Sequence, residues 1–213
     1  MLQEAGFTFE VYSPCIEEKV WPDWTPEVCV RKLAEQKALA VIDRLRKERE
    51  ASENDDDTLV LAADTGVAIG NEALGKPRDF QDAYRMLWRL SRSTHRVLTG
   101  VCLWPLSWDH GLCDVEVTHV TMRPMSDQEI RAYVESGESM GKAGAYAIQE
   151  TADRYVERLE GPLDNVVGLP VDLVVKLIGQ WNEERKSCKK TGHLSTMLDR
   201  KSTRLNSSHV SQS

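Results

Sequence analysis

The spacing of apolar residues changes between a helical and a strand period several times along the chain, and this interleaving constrains the fold more than any other feature. Thr25-Pro26 is a typical helix start, and apolar side chains recur at helical spacing from Val30 to Leu45. The next apolar run, Thr58–Ala63, is short and typical of a buried strand. Helices and strands that alternate in this way predict the α/β class.

The strand signals predict more than one direction of pairing. His95–Leu106 and Leu112–Met122 both alternate between apolar and polar residues, and the short link between them predicts a β-hairpin. Phe7–Tyr12 and Tyr155–Leu159 predict one strand near each end of the domain. A hairpin within an interleaved chain predicts a mixed sheet flanked by helices.

Helix boundaries are indicated by capping residues. Asp79 is a predicted N-cap, and Ser126 with Glu129 has the spacing of a capping box. Pro170 is expected to begin a last helix that ends near Trp181.

Charge and composition exclude several classes of protein. The chain has 213 residues, 41% of them apolar, and a net charge of −7, which predicts a globular domain without the general basic field of a nucleic-acid binder. Five cysteines without a paired spacing predict neither a disulfide framework nor a zinc site, and they favour a reducing compartment. The first residues do not have the pattern of a signal peptide, and polar residues interrupt the longest apolar stretch. We therefore expect a cytoplasmic protein with no membrane partner.

The periodicity stops near residue 186, which predicts one domain over residues 1–185 and a disordered segment over 186–213. Residues 201–213 are rich in serine and resemble a tail derived from a cloning vector, so we expect them to be partly non-native.

Polar residues at predicted strand ends and turns are the first candidates for chemistry. Asp64 directly follows the predicted strand, so it is expected at the carboxyl edge of the sheet, where open α/β folds bind ligands; a turn-capping role fits the position equally well. Lys76 lies on a stiff Gly-Lys-Pro turn, and Glu18 lies in the loop after the first predicted strand. Either could be an ordinary exposed charge.

The segment Gly141–Gln149 is rich in small residues, which permit close approach of the backbone to a ligand or a tightly packed loop. Its last residue, Gln149, has both a donor and an acceptor for a base edge. No phosphate-binding P-loop or dinucleotide-binding glycine motif is present, and the histidines have no metal-ligand spacing. Acidic residues, separated lysines and a glutamine together suit a metal-dependent phosphoanhydride hydrolase.

A set of short motifs in this order resembles the Maf-like nucleotide pyrophosphatases over about residues 2–180. The motifs are Ala63-Asp64-Thr65, Leu74-Gly75-Lys76-Pro77, Leu90-Ser91, Thr94-His95-x-Val97-x-Thr99-Gly100-Val101, Gly141-Lys142-Ala143-Gly144-Ala145-Tyr146, Ile148-Gln149, Val156-Glu157-Arg158-x-Glu160-Gly161 and Asn165-Val166-Val167-Gly168-Leu169-Pro170.

The resemblance implies an elongated α/β fold related to the inosine-triphosphate pyrophosphatases. It also implies hydrolysis of a nucleoside triphosphate to the monophosphate and pyrophosphate with a divalent cation, Mg²⁺ or Mn²⁺, and a possible homodimer. The positions that match the family's proposed functional residues are the general base and metal ligand Asp64, the metal ligand Glu18, the phosphate-binding Lys37 and Lys76, and the pair Thr65 and Gln149 of the branch that acts on dTTP and UTP.

One departure from the family pattern concerns the start of the chain. The family begins with a strand and a Ser-x-Ser-Pro-Arg-Arg loop, whereas Met1–Gly6 matches the end of the helix that follows that loop. We therefore expect a truncated chain with an exposed sheet edge and weaker phosphate binding. Two alternative functions stay open, namely the same reaction on a modified or non-standard nucleotide and a non-catalytic regulatory protein linked to septum formation.

Overall fold

The structure, a computed structural model, describes residues 1–48, 57–149 and 151–191. Its strands and helices alternate as the sequence predicts. The strands are β1 (Leu59–Ile69), β2 (Glu72–Leu74), β3 (Thr94–Pro105), β4 (Leu112–Met122) and β5 (Val156–Glu160). The helices are α1 (Pro26–Glu48), α2 (Phe80–Leu90), α3 (Asp127–Glu135), α4 (Leu163–Val167) and α5 (Val171–Thr191), with 3₁₀ turns at Ala143–Ala145 and Thr151–Tyr155.

The five strands form one sheet in the order β2-β1-β3-β4-β5. The α/β class and the flanking helices are confirmed, as is the β3–β4 hairpin. The mixed sheet is wrong, because every strand pair in the described part of the chain is antiparallel. The turn at Gly70-Asn71 sends β2 back along β1, and β3 then pairs antiparallel with β1 over almost its whole length.

The predicted first strand is also wrong, since Phe7–Tyr12 is outside every helix and strand of the structure. Its alternation of apolar residues needs a partner strand to bury one face, and Phe9 and Val11 are instead exposed. Alternation alone is therefore not sufficient to identify a strand.

The two faces of the sheet carry different helices, and alternate residues of β1 face them in turn. On one face, Val30 of α1 packs against Ala68 and Leu98. On the other face, Val67 and Val97 join a core that includes residues of α2 and α3. Even-numbered residues of β1 therefore face α1, and odd-numbered residues face the opposite core.

The predicted helix starts are confirmed. The side chain of Asp79 accepts a hydrogen bond from the backbone N–H of Asp82 at 2.7 Å, and Ser126 and Glu129 form the capping box. The last helix begins after Pro170 but continues to Thr191, beyond the predicted end near Trp181. Glu, Arg and Lys residues extend it, because they favour helix without an apolar period.

The chain divides into a compact unit over Met1–Val175, which holds the sheet, and a second unit over Lys176–Ser213. Most of the predicted tail, from residue 192 onward, lies outside the described residues. Within the described ranges, no helix combines the length and hydropathy needed to cross a membrane.

Cys102 and Cys113 form a disulfide between β3 and β4, which the cysteine spacing did not predict. The two residues are directly opposite in the strand register. Register is set by the whole hairpin, so no local sequence signal predicts this pair.

A buried histidine makes the stability of the fold sensitive to acid. His95 is 1% exposed, its Nε2 lies 2.7 Å from the Tyr146 hydroxyl, and burial lowers the pKa of His95 to about 4. An unfolded histidine has a pKa of about 6.5, so the unfolded state binds this proton first as the pH falls. The contribution of neutral His95 to the free energy of unfolding is therefore fully present above about pH 6.5 and is lost as the pH falls from about 6.5 to about 4. We expect the free energy of unfolding to decrease by about 3 kcal/mol over this range.

Urea denaturation at a series of pH values between 7 and 4 measures this effect. In the matched variant His95→Gln, which does not titrate, the fall in the free energy of unfolding should be smaller by the same amount. Equal slopes in the two proteins would contradict the assignment to His95.

Candidate active site

Asp64 lies in the middle of β1, not at its end. It is paired with Gly100 of β3, and the ladder continues through Thr65, Gly66 and Val67. The predicted position at the carboxyl edge of the sheet is therefore wrong, because the strand does not stop after its apolar run. As an even-numbered residue, Asp64 faces α1, and its side chain is 15% exposed.

Lys37 of α1 joins the two candidate acidic residues. Its Nζ lies 2.5 Å from Asp64 Oδ1 and 3.1 Å from Glu18 Oε1, so one ammonium group contacts both carboxylates. The structure thus assembles Glu18, Lys37 and Asp64, which are far apart in the sequence, into one half-buried charge cluster.

The position of Glu18 depends on a residue that the sequence analysis missed. The Gln36 carboxamide accepts a hydrogen bond from the backbone N–H of Lys19 at 3.0 Å and donates one to the Lys19 carbonyl at 2.8 Å. This double contact ties the segment before α1 to the helix, directly beside Glu18 and Lys37. A backbone partner leaves no trace in the sequence, so no motif could have identified Gln36.

For both Asp64 and Lys37, burial and the opposite charge of the ion-pair partner shift the pKa in opposite directions. Burial is the largest influence on Asp64 and raises its pKa above the ordinary value, although Lys37 opposes that shift and Glu18 adds to it. Burial alone would lower the pKa of Lys37, but Asp64 and Glu18 together raise it. The result is a protonated lysine beside a carboxylate that holds a proton more readily than a solvated aspartate.

Lys76 also belongs to this neighbourhood. Leu74 at the end of β2 is opposite Val67, so the chain that follows it runs back alongside the middle of β1. The charge of Lys76 acts on Asp64 and lowers its pKa, as a smaller influence than burial. The Gly75 carbonyl accepts a hydrogen bond from the Gly144 N–H at 3.1 Å, which brings the small-residue segment against the Gly-Lys-Pro turn.

The predicted specificity residues are placed differently. Thr65 is an odd-numbered residue of β1, so its side chain lies on the face opposite Asp64, where its hydroxyl oxygen is 2.9 Å from that of Thr99. Gln149 is exposed. Among the described residues, no hydrogen bond joins Thr65 to Gln149.

Asp64 and Thr65 lie on a stretch of β1 that pairs with β3 along one edge and with no strand along the other, among the described residues. β2 pairs only with Val67–Ile69, so this edge of β1 has no strand partner from Leu59 to Gly66 among the described residues. A molecule that lies along this edge can contact side chains from both faces of the strand.

The donor set suits a divalent cation that is shared with a phosphate. No three His, Cys, Asp or Glu side chains of the described residues form a group that could hold a metal by themselves. Mg²⁺ is usually bound by one or two carboxylates together with substrate phosphates and waters. Glu18 and Asp64, both in contact with the Lys37 cation, provide two carboxylates of this kind.

Comparison with known proteins identifies the family. The model of a family described as Maf-like protein matches residues 1–181. The chain is 40% identical over 181 residues to a dTTP/UTP pyrophosphatase of Bdellovibrio bacteriovorus, which covers 85% of this chain and 92% of that protein. It is 42% identical over 183 residues to a dTTP/UTP pyrophosphatase of Hahella chejuensis, and the match covers 85% of this chain and 86% of that protein. It is 38% identical over 182 residues to a dTTP/UTP pyrophosphatase of Aquifex aeolicus, and the match covers 85% of this chain and 89% of that protein. The chain therefore belongs to the Maf-like protein family.

Proposed function

We propose that this protein hydrolyses nucleoside triphosphates, with dTTP and UTP preferred, to the monophosphate and pyrophosphate. The observation that supports it most is the cluster in which Lys37 contacts both Asp64 and Glu18. The names of the relatives, dTTP/UTP pyrophosphatases, point to the same reaction.

Asp64 is the proposed general base. A base works best when its pKa is close to the working pH, and burial moves the pKa of Asp64 upward. Asp64 would accept the proton of the water that attacks the phosphorus atom next to the nucleoside, and the pyrophosphate group would leave.

Lys37 and Lys76 are the proposed phosphate-binding residues. Lys37 is held protonated by its carboxylate neighbours, and Lys76 lies on the Gly-Lys-Pro turn that follows β2. Two ammonium groups near Asp64 would offset the repulsion between that carboxylate and a triphosphate.

Glu18 and Asp64 are the residues proposed to hold Mg²⁺ or Mn²⁺. The bound cation would neutralise phosphate charge and help to orient the phosphates. Gln36 supports this role because it fixes the backbone next to Glu18.

Thr65 and Gln149 are the proposed base-reading pair. Thr65 follows Asp64 at the open edge of β1, and Gln149 is exposed and available to a ligand. A homodimer, a cytoplasmic location and the absence of a nucleic-acid partner stay predictions from the sequence.

A screen of nucleotides tests the proposal. We expect pyrophosphate release from dTTP and UTP in the presence of Mg²⁺ or Mn²⁺, with much slower release from purine triphosphates. A preference for ATP, GTP or a modified purine nucleotide would contradict the specificity. Lack of release from every nucleotide would favour the non-catalytic alternative.

A further inference from the structure

Two buried threonine hydroxyls tie the sheet to α4. Thr99 of β3 donates a hydrogen bond to the Asn165 carbonyl at 3.0 Å, and Thr118 of β4 donates one to the Pro162 carbonyl at 2.9 Å. Both threonines are completely buried. Because a carbonyl oxygen can only accept, the direction of both bonds is fixed.

Each of these hydroxyls has one proton, so every other bond it makes must be as an acceptor. Thr118 accepts from the Asn165 Nδ2 at 2.9 Å, and the same amide also donates to the Val97 carbonyl at 3.1 Å. By the same rule, Thr99 must accept its second bond, the 2.9 Å contact, from Thr65. The proton of the Thr65 hydroxyl is therefore already used within the protein.

We propose that Thr99 is a positioning residue that presents the Thr65 hydroxyl to the nucleobase as a hydrogen-bond acceptor only, and so selects a base whose ring nitrogen carries hydrogen. Uracil and thymine have such an N–H group, whereas cytosine has an acceptor at the same ring position. This inference rests on the proposed function and specifies how that site distinguishes one pyrimidine from another.

The surroundings of Thr65 leave its oxygen free to act in this way. The side chain is only partly buried and lies next to the open edge of β1. A Cβ added at Gly168 would contact the Thr65 hydroxyl oxygen at 3.4 Å, whereas glycine places no side chain there. The oxygen retains two lone pairs for an incoming N–H group.

The experiment compares kcat/KM for UTP and CTP in the unchanged protein and in Thr99→Val. The valine cannot accept a hydrogen bond, so Thr65 would regain a proton to donate and would no longer disfavour cytosine. We expect the UTP to CTP ratio to fall about tenfold, the effect of one hydrogen bond of ordinary strength. The conservative variant Thr99→Ser should keep the original UTP to CTP ratio, because serine retains the hydroxyl.

Thr118→Val is the matched control. It removes a buried hydroxyl from the same network but leaves the contact between Thr65 and Thr99 in place, so the ratio should not change. A folded Thr99→Val variant with the original ratio would overturn the inference, as would an equal fall of the ratio in Thr118→Val.

Should Thr99→Val not fold, the unchanged protein still tests whether the site needs the ring N–H group. UTP methylated at the ring nitrogen lacks the N–H group and should react about tenfold or more slowly than UTP. Equal rates would overturn the inference. An active Thr99→Val protein that keeps the original UTP to CTP ratio would overturn this inference and leave the proposed function standing, whereas an unchanged protein that is inactive on both UTP and dTTP would overturn the proposed function as well.

Discussion

Asp64→Asn is expected to reduce the kcat for UTP and dTTP by about a hundredfold or more while the protein stays folded. Asparagine has nearly the same shape as aspartate, but it cannot accept a proton from water at neutral pH and provides no charged ligand for a cation. A fall of this size corresponds to about 2.7 kcal/mol of transition-state stabilisation. Pyrophosphate release under saturating substrate measures it.

Stability should change little in this variant. Burial raises the pKa of Asp64, which means that the folded protein disfavours its ionised form relative to a solvated aspartate. A neutral side chain of the same shape removes that cost, although Lys37 then retains only Glu18 as its partner. Thermal unfolding followed by circular dichroism distinguishes lost chemistry from lost structure.

Glu18→Gln is the matched control, because it removes one charge from the other carboxylate that contacts Lys37. We expect a smaller fall in kcat and a higher requirement for the metal ion. If the two variants lose activity equally, the effect of Asp64 comes from the shared charge cluster and not from a general base. Asp64→Asn with more than about a tenth of the original rate would contradict the assignment, since the effect would be below about 1.4 kcal/mol.

The residues of the candidate cluster could be named from the sequence, but its geometry could not. Glu18, Lys37 and Asp64 were identified by their match to family motifs, and their mutual contacts depend on the packing of α1 against β1. The end of the apolar run predicts the end of the strand near Asp64, yet the ladder with β3 continues to Ala68 and β1 itself to Ile69. Local hydropathy cannot show that a neighbouring strand will supply the hydrogen bonds.

Other contacts had no sequence signal because their partners are backbone atoms or depend on register. Gln36 binds the backbone of Lys19, and Thr99 binds the backbone of Asn165. The pairing of Cys102 with Cys113 follows from the register of the hairpin. Helix starts were predictable, in contrast, because a capping side chain binds a backbone group only a few residues away.

Gly100 joins the packing of the fold to the geometry of the site. It is the strand partner of Asp64, and it faces α1. A Cβ at this position would lie 2.3 Å from the Val30 carbonyl oxygen, 2.5 Å from the Val30 carbonyl carbon and 2.6 Å from the Arg31 nitrogen. All three are backbone atoms of the helix, so no side-chain rotation can relieve the overlap.

Gly100→Ala is therefore expected to destabilise the protein by about 3 kcal/mol, as overpacking of a tight core does. The helix must move away from the sheet, and Lys37 lies two turns further along the same helix, so its contacts with Asp64 and Glu18 should also be lost. Gly66→Ala is the matched control, because a Cβ there would meet only the Val30 side chain, at 3.1 Å. Urea denaturation should show a much smaller loss for Gly66→Ala, and pyrophosphate release should fall steeply only in Gly100→Ala. A Gly100→Ala protein as stable and active as the unchanged one would show that α1 does not lie this close to β3, and would remove the physical basis for the Lys37 contact.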